Sequence, residues 1–181
     1  MGLVLHKAVW EYMKRRDHVQ IDQPKQAESV QKRVLKLIKI GILGFLVIQT
    51  LFLNLFPISA NPAFISIVGL VIYSLGLIVA IIGRIQLGYN WANLEDYQVI
   101  KGQNLVQTGI YSYIRHPIYT GDVLLILGLE LALNSWLVLI AVPLAFVVFK
   151  QTLAEEVILS QAFPNYNDYS RHTKMFIPFI I

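Results

Sequence analysis

Cysteine is absent from this 181-residue chain, which removes disulfides, thiolate metal sites and cysteine nucleophiles from consideration. Charge is scarce, at 14% of residues against 56% hydrophobic. The four histidines form no HxxxH-type cluster, so no zinc or di-iron site and no metal are expected. Gly102 and Gly109 stand too far apart for a phosphate loop or a dinucleotide fingerprint. The absence of a Gly-x-Ser-x-Gly elbow argues against a serine hydrolase. A formal charge of +4 would suggest nucleic acid in a soluble protein, but its distribution has another explanation and no nucleic-acid partner is expected.

What the chain has instead is apolar residues gathered into long runs, the pattern of an integral membrane protein. The first run, 35–56, is interrupted by Lys36, Lys39, Gln49 and Asn54, and the second, 64–83, carries no charge. Between them residues 57–62 hold two prolines and an Asn, the signal of a tight turn between antiparallel helices. Runs 118–133 and 136–149 are separated only by Asn134 and Ser135. Each is shorter than the roughly 20 residues of an untilted span, so this hairpin either crosses fully or stops short of the far face.

Lys and Arg lie before or at the start of the first run, between the second and third, and from Lys150 onward, while both hairpin turns hold none. The positive-inside rule then predicts a multi-pass protein with both termini and residues 84–117 cytoplasmic. The N-terminal stretch 3–18 sets Leu5, Val9, Tyr12 and Met13 against Lys7, Lys14, Arg15 and Arg16, which predicts an interfacial amphipathic helix on anionic lipid. Residues 20–28, with Pro24, read as a polar connector. The expected fold class is an all-α membrane protein: an amphipathic helix and linker over 1–33, a transmembrane hairpin over 34–83, and a unit over 84–181. That unit comprises a cytoplasmic cofactor-binding segment, a transmembrane helical hairpin at 118–149 and a short cytoplasmic tail.

The chemically suggestive residues fall after the first two spans. Residues 109–121 place Arg115, His116 and three tyrosines (Tyr111, Tyr113, Tyr119) at the mouth of the third run. Pro117 suits the first turn of a helix, and a polar residue before it can cap the free amides, so His116-Pro117 alone is consistent with a plain helix start. Arg115 and the tyrosines are likewise consistent with interfacial anchoring. The turn-rich approach from Gln103 to Tyr111 favours a site, because it brings polar groups and backbone amides to the same helix mouth. Glu155 and Glu156 project about 100° apart on a helix, so at most one faces a given site. Asp122 and Glu130 are carboxylates inside the third run and functional candidates by default, Asp122 being near the interface and Glu130 being read as structural.

The ordered set Leu105-Val106-Gln-Thr108-Gly109-Ile-Tyr111-x-Tyr113-Ile-Arg115-His116-Pro117-Ile-Tyr119-x-Gly121, then Glu155-Glu156, Tyr166-x-x-Tyr169 and Ile177-Pro178-Phe179-Ile180, resembles the isoprenylcysteine carboxyl methyltransferase family. The upstream Leu87-Gly88-x-x-Trp91 is similar to that family's sequence as well, and the resemblance covers about residues 84–181. It implies S-adenosylmethionine as cofactor, held without a Rossmann fold by Gln103, Leu105, Val106, Gly109, Tyr111, His116, Pro117 and Tyr119, with Glu155 or Glu156 closing the pocket. It also implies a membrane lipid or lipidated substrate that arrives sideways between helices. The chain departs from the family at Lys150-Gln151, where an Arg is common before the paired Glu, and at Met175, where a basic residue is common.

Methyl transfer from a sulfonium to a carboxylate neutralises opposite charges, so a poorly hydrated site and good alignment favour it. A carboxylate acceptor calls for a cation, and the candidates are Arg115, Lys150 and Arg171. Arg171 is preferred because Tyr166 and Tyr169 would hold that tail against the membrane near Glu155. The expected function is carboxyl O-methylation of a prenylcysteine-like group. The alternatives are phospholipid or small-amine N-methylation, with a Glu accepting the proton, then a nicotinamide-dependent membrane reductase or a non-catalytic lipid-binding scaffold.

Overall fold

The computed structural model describes residues 2–16, 30–51, 55–90 and 103–180. Six α-helices follow in order: α1 Gly2–Arg16, α2 Val30–Leu51, α3 Ala63–Leu87, α4 Pro117–Ala132, α5 Ala141–Ala162 and α6 Tyr166–His172. Short 3-10 turns occupy Gly88–Asn90, Gly109–Ser112 and Trp136–Ile140, and no strand occurs among the described residues. The polar connector 20–28 and Trp91 lie outside the described residues.

Two stretches, Ala63–Asn90 and Trp136–Ala162, are long and apolar enough to cross a membrane. Only 17% and 11% of their most apolar windows are buried, whereas the core helix of a soluble protein would be mostly covered. Apolar surface of that extent faces lipid, and the protein is an integral membrane protein. In α2 the apolar part is the shorter Ile40–Leu51, and α4, with 16 residues, reaches ~24 Å. The fourth apolar run continues past 149 as one helix, so Glu155 and Glu156 ride on the last turns of α5.

The tightest packing joins α3 to α4 through glycines at a seven-residue spacing on both helices. Without side chains at Gly69, Gly76 and Gly83 on one side and Gly121 and Gly128 on the other, the backbones come into direct contact. A Cβ at Gly76 would stand 2.7 Å from the amide nitrogen of Leu125, and one at Gly121 2.6 Å from that of Ala80. At Gly69 it would meet the backbone of Leu131 and Ala132, and at Gly128 that of Tyr73. This seam sets the start of α4 beside the end of α3, against Gly83, and thereby locates the residue 109–121 block.

At the opposite end the two hairpin turns are joined to each other. Ile58 N–H donates to the Asn134 carbonyl and Trp136 N–H to the Phe56 carbonyl, both at 2.9 Å. The Asn134 amide donates to the Ser59 carbonyl at 2.7 Å. Gln49 of α2 reaches the same region and donates to the buried Glu130 carboxylate at 2.7 Å, which bears out the structural reading of Glu130.

The N-terminal helix turns one face onto the bundle and leaves another exposed. Met13 is buried, and His6 and Trp10 are partly covered, while Leu5 and Tyr12 are exposed. The inward residues recur at i, i+4 and i+7, and they pack on α3 and α4, with Gly2 against Tyr73 and His6 against Asp122.

Candidate functional site

Pro117 opens α4 at its first turn, where a missing amide costs nothing. His116 does not act as the cap that a plain helix start would allow: its side chain makes no cap hydrogen bond. The imidazole turns instead toward α5, where its Nε2 lies 3.2 Å from Glu156 Oε1. Arg115 Nε donates to the same oxygen at 2.7 Å, and its Nη1 donates to the carbonyls of Ser170 and Thr173 at 3.1 and 2.6 Å. One carboxylate thus gathers the start of α4, and one guanidinium ties in the tail. The tail is also held by backbone pairing, Arg115 N–H to the Lys174 carbonyl at 2.8 Å and Lys174 N–H to the Tyr113 carbonyl at 3.0 Å.

Burial opposes the charge on Arg115, but the hydrogen bond and charge of Glu156, with Tyr166, outweigh it and raise its proton affinity above the ordinary. Burial, with Glu156 nearby, raises the Tyr166 phenol, and burial pushes Tyr169 up to about 12 although Arg115 opposes it. Both phenols therefore stay neutral in water near neutral pH. The Tyr169 hydroxyl donates to the Tyr111 carbonyl at 2.7 Å, and Tyr111 in turn donates to the Gly83 carbonyl at 3.2 Å. This chain of bonds links α6, the approach segment and the end of α3.

Glu155 points the other way from Glu156, as neighbours on a helix must. It accepts the Tyr119 hydroxyl at 2.9 Å and lies 3.9 Å from His116 Nδ1. The rings of Tyr119 and His116 stack at 5.6 Å and 12°. Glu155, Tyr119, His116, Pro117 and Arg115 line a cavity of about 250 Å³, which Gln103, Leu105, Val106 and Tyr111 continue. Gln103 is anchored through the Asn90 carbonyl at 3.0 Å, and the Asn90 side chain accepts Asn104 N–H at 2.7 Å.

Nine of the expected site residues are therefore brought to one cavity: Gln103, Leu105, Val106, Tyr111, Arg115, His116, Pro117, Tyr119 and Glu155. Gly109 is not among the lining residues; its φ of +65° makes the turn that packs on Gln86, whose side chain accepts Ile110 N–H at 2.8 Å. Glu156 stands behind the wall as the partner of Arg115 and His116. Arg171 is exposed on α6 and does not line the cavity. Among lining residues, Asp122 is a general candidate from the sequence, while His6, Trp10, Asn90 and Asn104 carry no sequence motif that marks them. The spacing of His6, Trp10 and Met13 was the available signal for α1, obscured by the stronger apolar character of Leu5, Val9 and Tyr12.

The sequence pattern of the phospholipid methyltransferase family matches residues 64–166, more than half of the chain. Among curated proteins, the nickel-cobalt-cadmium resistance protein NccN of Alcaligenes xylosoxydans xylosoxydans is 33% identical over 65% of this chain and 54% of its own. The cobalt-zinc-cadmium resistance protein CzcN of Cupriavidus metallidurans is 35% identical over 58% and 46%. The protein-S-isoprenylcysteine O-methyltransferase of Xenopus laevis is 25% identical over 70% and 45%. The chain thus spans about half the length of these curated relatives. The solved structure of a eukaryotic intramembrane Ras methyltransferase, an isoprenylcysteine carboxyl methyltransferase, shares the fold, with a TM-score of 0.60 and 23% identity over 99% of this chain and 67% of that one. The family pattern shows that the chain belongs to the phospholipid methyltransferase family, and isoprenylcysteine carboxyl methyltransferases are among the proteins it resembles in sequence and in fold.

Proposed function

We propose that the protein transfers a methyl group from S-adenosylmethionine to a lipid or lipidated acceptor at the membrane surface. The observation that carries this reading is the meeting of α4 and α5 at the cavity, where Tyr119 binds Glu155 and Arg115 and His116 bind Glu156. The lining suits the cofactor: Leu87, Leu105 and Val106 offer an apolar wall for a base, Asn90, Gln103 and Asn104 offer amides, and Glu155 offers a carboxylate to a cation. When bound, S-adenosylmethionine supplies an electrophilic methyl on a sulfonium. Glu155, oriented by Tyr119, favours the positive end of such a ligand, and the His116 ring holds Tyr119 in place by stacking. Glu156 neutralises Arg115 and fixes α4 to α5, so that the wall does not relax when water leaves.

Carboxyl O-methylation of a prenylcysteine-like group is the first reading, on the strength of the motif resemblance. Amine N-methylation is the second, favoured by the commitment of Arg115 to Glu156 and by two carboxylates, Glu155 and Asp122, on the cavity wall. The site end, with both termini, is assigned to the cytoplasm and the joined hairpin turns to the far side. A cysteine in place of the exposed Ala60 would then react with an impermeant reagent from outside, and one at the exposed Ser112 would not.

The deciding experiment is calorimetric titration of the detergent-purified chain with S-adenosylmethionine. Binding is expected, with His116→Ala and Tyr119→Phe each weaker by roughly tenfold, as for loss of a buried polar contact. Absence of binding to the wild type would sink the reading, and unchanged affinity in both variants would return the block to helix anchoring.

A further inference from the structure

One wall of the cavity comes from outside the region that the family pattern covers. His6 and Trp10 of α1 line it, opposite Asp122 of α4. His6 Nε2 lies 3.3 Å from Asp122 Oδ1, and the His6 and Trp10 rings are 4.4 Å apart. The Arg84 guanidinium sits 5.9 Å from the Trp10 ring on the end of α3. The side chain of Asp122 remains 42% exposed while that of His6 is 20% exposed, so the carboxylate is the more reachable of the two. Asp122 lies five residues beyond Pro117, ~7.5 Å further along α4. The pair therefore sits toward the membrane-spanning side of the cavity, away from the Gln103–Asn90 contact.

Charge decides what such a corner accepts. The formally charged residues lining the cavity are Arg115, Asp122 and Glu155, and Arg115 is bonded to Glu156 behind the wall. A carboxylate ligand would meet two like charges there, whereas an ammonium would meet two opposite ones and an indole face nearby. We propose that Asp122, beside His6 and backed by Trp10, is a specificity-determining corner that draws in a protonated amine head in preference to a carboxylate and takes the ammonium proton, so that the neutral nitrogen can accept the methyl. The assignment rests on the methyl-acceptor reading of this cavity and separates its two forms by the residues that α1 brings.

The test compares dodecylamine with dodecanoate, equal chains with opposite heads, by isothermal titration calorimetry of the full chain in detergent. The wild type is expected to bind the amine roughly tenfold more tightly. Asp122→Asn should bring the two affinities to near parity, Asp122→Glu should retain the preference, and Trp10→Ala should reduce it. A wild type that binds dodecanoate as tightly as dodecylamine overturns the proposal whatever the variants do, as does a preference that survives both Asp122→Asn and Trp10→Ala. Titrating the same samples with S-adenosylmethionine keeps the two ideas apart. Loss of the amine preference with cofactor binding intact removes this corner alone, whereas an amine preference without cofactor binding removes the methyltransferase reading and leaves the corner.

Discussion

The two ends of the helix bundle each shield a carboxylate from water, one fully and one in part, and they use it differently. Near the hairpin turns, Glu130 is 2% exposed and accepts from the neutral amide of Gln49, with Ser135 close by. At the cavity end, Glu156 takes a guanidinium and an imidazole on one oxygen. A neutral partner ties α2 to the hairpin and offers nothing to a ligand. A charged partner, the Arg115 guanidinium at the cavity wall, instead creates a fixed, polarised surface. The same residue type is thus structural at one end and part of a site at the other, according to what faces it.

Removing one partner should separate the ends most sharply. Arg115→Ala leaves Glu156 without its guanidinium and releases the Ser170 and Thr173 carbonyls. A loss of about 3 kcal/mol is expected for breaking a largely buried pair, seen as a lower unfolding midpoint in detergent together with loss of cofactor binding. An unchanged midpoint would erase the contrast between the two carboxylates.

Glu130→Leu should cost less, about 1–2 kcal/mol, because it strands only the Gln49 amide. Cofactor affinity should be unaltered in calorimetry, and a drop there would mean that the two ends are coupled. Tyr169→Phe removes the bond to the Tyr111 carbonyl and should cost about 1 kcal/mol. Proteolysis of the released tail is the sensitive readout, and resistance equal to wild type would deny α6 its anchoring role.

Arg171→Ala is the smallest, within about 0.5 kcal/mol in stability, since the side chain is exposed. Whatever methyl transfer to N-acetyl-S-farnesylcysteine the wild type supports should also persist. Its loss, with cofactor binding intact, would restore Arg171 as the residue that orients a carboxylate acceptor.

The chain itself determined the apolar runs, the turn before Pro62 and the polar block ending in Arg115, His116, Pro117 and Tyr119. Each of these is a local pattern, set by hydropathy, turn chemistry and proline's fixed geometry. The seam of Gly69, Gly76, Gly121 and Gly128 was also written in the spacing, though its meaning needed two helices in contact. Only the tertiary structure decided that Glu155 faces the cavity while Glu156 holds Arg115, because a 100° step on α5 has no sense until α4 stands beside it. It likewise brought His6 to Asp122 and left Arg171 in the open. Contacts between distant segments depend on which faces pack together, and a burial-driven choice among faces is made by the whole fold rather than by any one stretch of residues.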